Sequence, residues 1–262
     1  MTVEIVSANG LEIAFERTGE GPPLFLLHGA EGDHTMFAAL AEQLSADFTI
    51  IACDQRDSGQ TRNPDVEYGF GELADDVAAL ISALDYNKVH LLGQSFGGVV
   101  AQSVALRHPD RIDRLILSST FKLGINPLPL NPDAFASLAA LRQELPSSLM
   151  EIAAYFFPPS FLTQFPSAAD VFAGAQRTPE QAARRARIGA KPINANLAEI
   201  SAPTLVLAGS ADALISPQHT RSLAEDIPGA QFQLLEGVGH IGPIQAPETV
   251  AKVVTDFLQS AE

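Results

Sequence analysis

The stretch Val89-His90-Leu91-Leu92-Gly93-Gln94-Ser95-Phe96-Gly97-Gly98-Val99-Val100 decides how this chain folds. Its first four residues form a short apolar run of strand character, and the residues after Ser95 continue as a helix-period pattern to Arg107. A serine between strand and helix, with glycines two positions to either side, marks a sharp turn that strains the serine backbone and demands small neighbours. Gly93 and Gly97 meet that demand. The Gly-x-Ser-x-Gly string alone is a weak signal in a chain with 19 glycines, and its position between strand and helix is what makes it strong. The turn also puts Ser95 at a helix N-terminus, whose free amides and positive dipole end favour developing negative charge.

Outward from this turn, short apolar runs alternate with longer segments of helical period, which is the pattern of α/β architecture. The runs predict eight strands, at 3–6, 11–17, 24–27, 48–53, 89–92, 115–118, 205–208 and 232–235. Helices are predicted at 37–45, 70–84, 96–107, 217–226 and 247–259. Asn9-Gly10 between the first two strands reads as a tight hairpin turn, whereas the later strands are separated by helical patterns that require parallel crossovers. The expected sheet is therefore eight-stranded and mostly parallel, with an antiparallel start and helices on its flanks. Between Ser119 and Thr204 no strand signal occurs, so a helical cap is expected over 121–192, inserted between core segments 1–120 and 193–262. The cap interval holds nine of the 18 prolines and seven of the 15 phenylalanines. Short helices with rigid corners follow from the prolines. Most of the phenylalanines should form the cap's own small core, and a few should face the site beneath.

A serine hydroxyl is a poor nucleophile until a base takes its proton, so Ser95 requires a histidine and an acid. Asp212 lies just past the predicted strand 205–208, and His240 just past 232–235. Parallel strands bring all three loops to one carboxyl edge of the sheet, where residues distant in sequence can meet.

With these residues in place, the chain resembles the α/β-hydrolase superfamily, in its compact form with a helical cap, over nearly its whole length. The likeness extends to His28-Gly29 after the third strand and to Asp54-Gln55-Arg56-Asp57-Ser58-Gly59-Gln60-Thr61 after the fourth. It implies that the amides of Ala30 and Phe96 form the oxyanion hole. Two departures stand out. Asp57 occupies a position where the family commonly has glycine, and the loop Ala30-Glu31-Gly32-Asp33-His34 is unusually polar. For Glu31, Asp33 and His34 a solvated helix start is favoured over substrate contact.

Composition removes other classes. Thirty-one acidic residues against 16 basic ones give a formal charge of −15, which repels phosphate backbones and anionic lipid surfaces and argues against nucleic-acid or membrane partners. Cys53 is the single cysteine, so no intrachain disulfide or Cys-type metal site is expected, and a reducing cytoplasm fits. It reads as a small buried hydrophobe. No apolar run approaches the roughly 20 residues needed to cross a bilayer, and the N-terminal sequence lacks the pattern of a signal peptide. Gly237-Val238-Gly239-His240-Ile241-Gly242 matches G-x-G-x-x-G, but too little chain follows it for a dinucleotide-binding unit. His28, His34 and Asp33 lack metal-site spacing, and no metal or cofactor is expected. Arg177, Arg184, Arg185, Arg187 and Lys191 read as a solvated face of the cap. The expected activity is hydrolysis of an ester or lactone of a small, largely apolar molecule. Carbon-carbon bond hydrolysis of a vinylogous diketone, thioester hydrolysis and perhydrolysis use the same triad and stay open, as does a non-catalytic ligand receptor. A homodimer stays open, since the sequence does not set the oligomeric state.

Overall fold

The computed structural model describes residues 2–173 and 177–260. Eight strands form one sheet: β1 (Val3–Ala8), β2 (Leu11–Thr18), β3 (Pro23–Leu27), β4 (Thr49–Cys53), β5 (Val89–Gln94), β6 (Ile112–Ser118), β7 (Thr204–Gly209) and β8 (Gln231–Leu235). Their order is β1-β2-β4-β3-β5-β6-β7-β8. Pairings β1–β2 and β2–β4 are antiparallel and the other five are parallel. Every residue of β5 and β7 is buried, which is why these strands read as continuous apolar runs rather than alternating ones. Asn9 and Gly10 both take positive φ, 49° and 76°, as a two-residue hairpin turn of matching twist requires.

β6 begins three residues ahead of its apolar run because Asp113 and Arg114 interrupt the pattern while the backbone already pairs at Val89–Ile112. Both side chains find partners at the strand entrance, Asp113 with Lys88 and Arg114 over the Phe257 ring. The helices are α1 (Ala38–Leu44), α2 (Phe70–Ala83), α3 (Phe96–Arg107), α4 (Pro132–Leu141), α5 (Leu149–Ala153), α6 (Pro159–Gln164), α7 (Pro179–Ala186), α8 (Pro217–Asp226), α9 (Gly242–Gln245) and α10 (Pro247–Leu258). α2 packs on α3, α1 on α10 and α8 on β7.

Among the described residues the interval from β6 to β7 contains helices and turns only. Proline opens α4, α6 and α7, where its missing N–H costs nothing because first-turn amides lack helical acceptors. Asn131 caps α4, and its side-chain amide also donates to the carbonyls of Ala213 and Leu214, tying this segment to the loop after β7. Cys53 is buried, and burial pushes its thiol up to about 12, so it stays an inert small hydrophobe. No helix among the described residues is long and apolar enough to cross a membrane.

Candidate active site

Ser95 joins β5 to α3 with φ 53° and ψ −118°, outside the comfortable region for a residue bearing a side chain. Its neighbours make the turn feasible. A Cβ on Gly93 would lie 2.3 Å from the Gly97 carbonyl oxygen, and one on Gly97 would lie 2.1 Å from that of Leu27. The turn is held by Ser95 N–H donating to Ser118 O at 2.8 Å and by Thr120 Oγ1 donating to Ser95 O at 2.6 Å.

The His240 ring meets Ser95 from the loop after β8. Nε2 lies 2.9 Å from Ser95 Oγ, and Nδ1 lies 2.8 Å from Asp212 Oδ2. Asp212 Oδ1 accepts from the amides of Leu214 and Ile215 at 2.9 Å each, so the carboxylate is oriented before it meets the imidazole. The His240 backbone is held on both sides: its N–H donates to Phe156 O at 2.8 Å, and its carbonyl accepts from Gln94 Nε2 at 2.6 Å. The Phe156 ring packs edge-on against the imidazole at 5.5 Å. With the Nδ1 proton directed at a carboxylate, Nε2 is left as the acceptor facing the serine hydroxyl.

The N–H groups of Ala30 and Phe96 have no hydrogen-bond acceptor among the described residues. Phe96 opens α3, so its amide is one of the free donors of a helix start. His28 fixes the peptide that carries the Ala30 N–H, because Nδ1 donates to Gly29 O at 2.8 Å and a trans peptide directs its N–H opposite to its carbonyl. The neutral imidazole then accepts from Gln55 N–H at Nε2, 3.2 Å away, and burial lowers the His28 pKa to about 4, which keeps it neutral.

A cavity of about 180 Å³ opens over Ser95 and His240, bounded by Ala30, Phe96, Met36, Leu214, Ile215 and Ile241 on the core side. Phe121, Phe135, Phe156 and Phe172 enclose it from the segment after β6, four of the seven phenylalanines in that interval. Glu31 and Arg142, an ion pair at 3.0 Å, are its charged boundary. Met36, Arg142, Leu214 and Ile215 carry no motif that sequence reasoning could use, and Gln94 fills a variable position of the Gly-x-Ser-x-Gly turn.

The polar loop after β3 divides. Asp33 does cap a helical turn, accepting from Thr35 N–H at 2.9 Å. His34 is not solvated: it is buried with Nδ1 2.9 Å from Asp54 Oδ1, and that hydrogen bond raises its pKa. Asp33, His34 and Asp54 bring three donor atoms within 4.8 Å, but His34 and Asp54 are already engaged with each other, and Asp54 also with the Gln60 amide. The His28 ring belongs to the Gly29 and Gln55 contacts instead.

The solvated-face reading of the basic cluster is overturned for three of its members. Arg184 is buried and forks onto the Asp57 carboxylate at 2.8 and 3.1 Å. Arg177 donates to the carbonyls of Asp57 and Ala30 and to Ser58 Oγ. The Arg185 guanidinium lies 3.7 Å from the centroid of the Phe96 ring, and burial, assisted by the nearby charge of Arg177, lowers its pKa to about 10. Only Arg187 and Lys191, paired with Glu67 and Glu72, lie in solvent as expected. Asp57 itself has φ 54°, and its carboxylate also accepts from Tyr68 Oη at 2.9 Å. Burial opposes its charge, but the bonds from Arg184, Asn63 and Tyr68 outweigh burial and hold the carboxyl below its usual range.

Comparison with known proteins agrees with this architecture. A family model described as alpha/beta hydrolase fold matches residues 22–247. A poly(3-hydroxyalkanoate) depolymerase from Ectopseudomonas oleovorans is 31% identical over 254 residues, spanning 90% of this chain and 84% of that one. Among solved structures, a thermophilic esterase from Thermogutta terrifontis superposes with TM-score 0.85 at 28% identity, covering 99% of this chain and 98% of the other. An enol-lactonase from Burkholderia xenovorans LB400 superposes with TM-score 0.83 at 27% identity, covering 98% and 100%.

Proposed function

Because this chain belongs to the alpha/beta hydrolase fold family, we propose that it is a serine hydrolase that cleaves a carboxylic ester or lactone of a small, largely apolar substrate. The observation that carries this reading is the unbroken relay Ser95 Oγ, His240 Nε2, His240 Nδ1, Asp212 Oδ2, with links of 2.9 and 2.8 Å, on the floor of an apolar cavity. Ser95 Oγ attacks the carbonyl carbon while His240 Nε2 takes its proton, and Asp212 stabilises the imidazolium. The oxygen that becomes negative is met by the free N–H groups of Ala30 and Phe96, each such donor contributing about 3 kcal/mol to the transition state. Collapse expels the alkoxide, which takes the proton from His240, and water repeats the cycle on the acyl-enzyme. The esterase and lactonase relatives support the substrate class.

A panel of p-nitrophenyl esters of rising chain length, lactones, acyl thioesters and a dienoate diketone, run on the wild type and on Ser95→Ala, tests it. Turnover of an ester or lactone is expected, and Ser95→Ala lowers it by at least about a thousandfold. Preferential turnover of the diketone would move the assignment to carbon-carbon bond hydrolysis, and near-normal activity of Ser95→Ala would remove the triad.

A further inference from the structure

Arg177 stands two residues ahead of α7, half-buried, and one planar guanidinium joins two core loops. Nη2 donates to Ala30 O at 2.8 Å and to Ser58 Oγ at 2.9 Å, and Nε donates to Asp57 O at 2.7 Å. Its own place is fixed from behind. Thr178 caps α7 in a reciprocal pair with Gln181, and α7 is anchored through Arg184 to the Asp57 carboxylate.

The Ala30 backbone lies between two peptide groups. The preceding one is held at the Gly29 carbonyl by His28, and the following one at the Ala30 carbonyl by Arg177. Holding both planes leaves Ala30 no freedom in φ or ψ, whereas holding only the first lets the following peptide turn and carry the loop with it. The same segment lays Arg185 on the ring of Phe96, so both residues whose amides face the developing oxyanion are gripped by arginines from the helical segment.

We propose that Arg177, pinned by the Asp57–Arg184 ion pair, is a positioning residue for the oxyanion hole, holding the Ala30 carbonyl so that the Ala30 N–H keeps its aim. This rests on the reading of Ser95 as nucleophile and of the Ala30 and Phe96 amides as oxyanion donors. Asp57 serves this joint twice: its carboxylate docks α7 through Arg184, and its backbone carbonyl accepts from Arg177.

Arg177→Met keeps an aliphatic stem and removes every donor. On the best ester of the panel its kcat is expected to fall about 10- to 100-fold, with KM within about twofold of the wild type. The affinity for n-butylboronic acid should weaken by the same factor as kcat. In that adduct Ser95 Oγ bonds to boron, its proton passes to His240, and a boron-bound oxygen occupies the oxyanion position. Arg177→Lys, with one donor able to reach Ala30 O, recovers part of both losses. A merely structural role would lower the melting temperature without shifting boronic-acid affinity of the folded enzyme. Wild-type kcat in folded Arg177→Met, or a kcat loss with unchanged boronic-acid affinity, overturns the proposal. Arg177→Gln is measured beside it and carries the same two criteria should the methionine variant not fold. Ser95→Ala separates the levels: if it stays active the underlying reading falls, and if it is dead while Arg177→Met is normal the positioning role alone falls.

Discussion

Ser95 keeps a φ of 53° because the bare Gly93 and Gly97 let the chain approach itself and the bonds to Ser118 O and from Thr120 Oγ1 hold the turn. Strain of this kind costs about 1–3 kcal/mol and persists only where the surroundings over-determine it. His28 is a second residue whose setting has a measurable consequence. Its pKa is lowered to about 4 by burial, while an unfolded histidine titrates near 6.5. Above pH 6.5 neither state holds the proton and His28 leaves stability unchanged. As pH falls from 6.5 toward 4 the unfolded chain takes up the proton first, so the folded state loses roughly 3 kcal/mol from this group. Urea unfolding at pH 7 and pH 4 checks it: His28→Asn should lose less stability over that interval than the wild type, and equal losses would refute the assignment. His34, whose pKa is raised by its bond to Asp54, acts with the opposite sign, so the comparison of variants rather than the raw profile isolates His28.

At the scale of elements, the loop after β4 and helix α7 form a joint whose centre is dry and whose rim is wet. Arg184 and Asp57 are buried at the centre, whereas Arg187–Glu67 is exposed at the rim. Removing Asp57 leaves the buried Arg184, among the described residues, with only Asp65, a solvent-exposed carboxylate 3.0 Å from Nη1, as counter-charge, so Asp57→Ala should lower unfolding free energy by about 3 kcal/mol. Glu67→Gln should leave the urea midpoint near that of the wild type, because solvent screens exposed pairs. Equal effects of the two substitutions would contradict the division into centre and rim. The carboxyl of Asp57, held below its usual range, adds stability that is complete above the unfolded carboxylate value and disappears as acid titrates the folded group. None of this joint was legible in sequence. Arg184 and Asp57 are 127 residues apart, and an arginine run on a short helix has the same local pattern whether it meets water or a carboxylate.

At the scale of the whole molecule, central parallel strands such as β5 and β7 were legible because strands covered on both faces must be apolar throughout, and β1, β2 and β8 because covered positions alternate with exposed ones along much of their length. The same parallel order explains why Ser95, Asp212 and His240 could be brought together from strand ends alone: β5, β7 and β8 all end at one edge of the sheet. What escaped was everything decided by packing across the segment after β6. Phe156 faces His240 and the cavity while Phe157 packs beside Phe161, though the two are adjacent and identical in type. Arg142 reaches the cavity boundary from a turn that has no motif. An activated Ser95 nucleophile is the centre of the molecule's chemistry, and mass spectrometry after treatment with a fluorophosphonate measures it directly. One covalent phosphonyl adduct per chain, mapped to Ser95 and missing from both Ser95→Ala and heat-unfolded protein, is the predicted result; folded wild-type protein that stays unlabelled, or carries the adduct elsewhere, would contradict it.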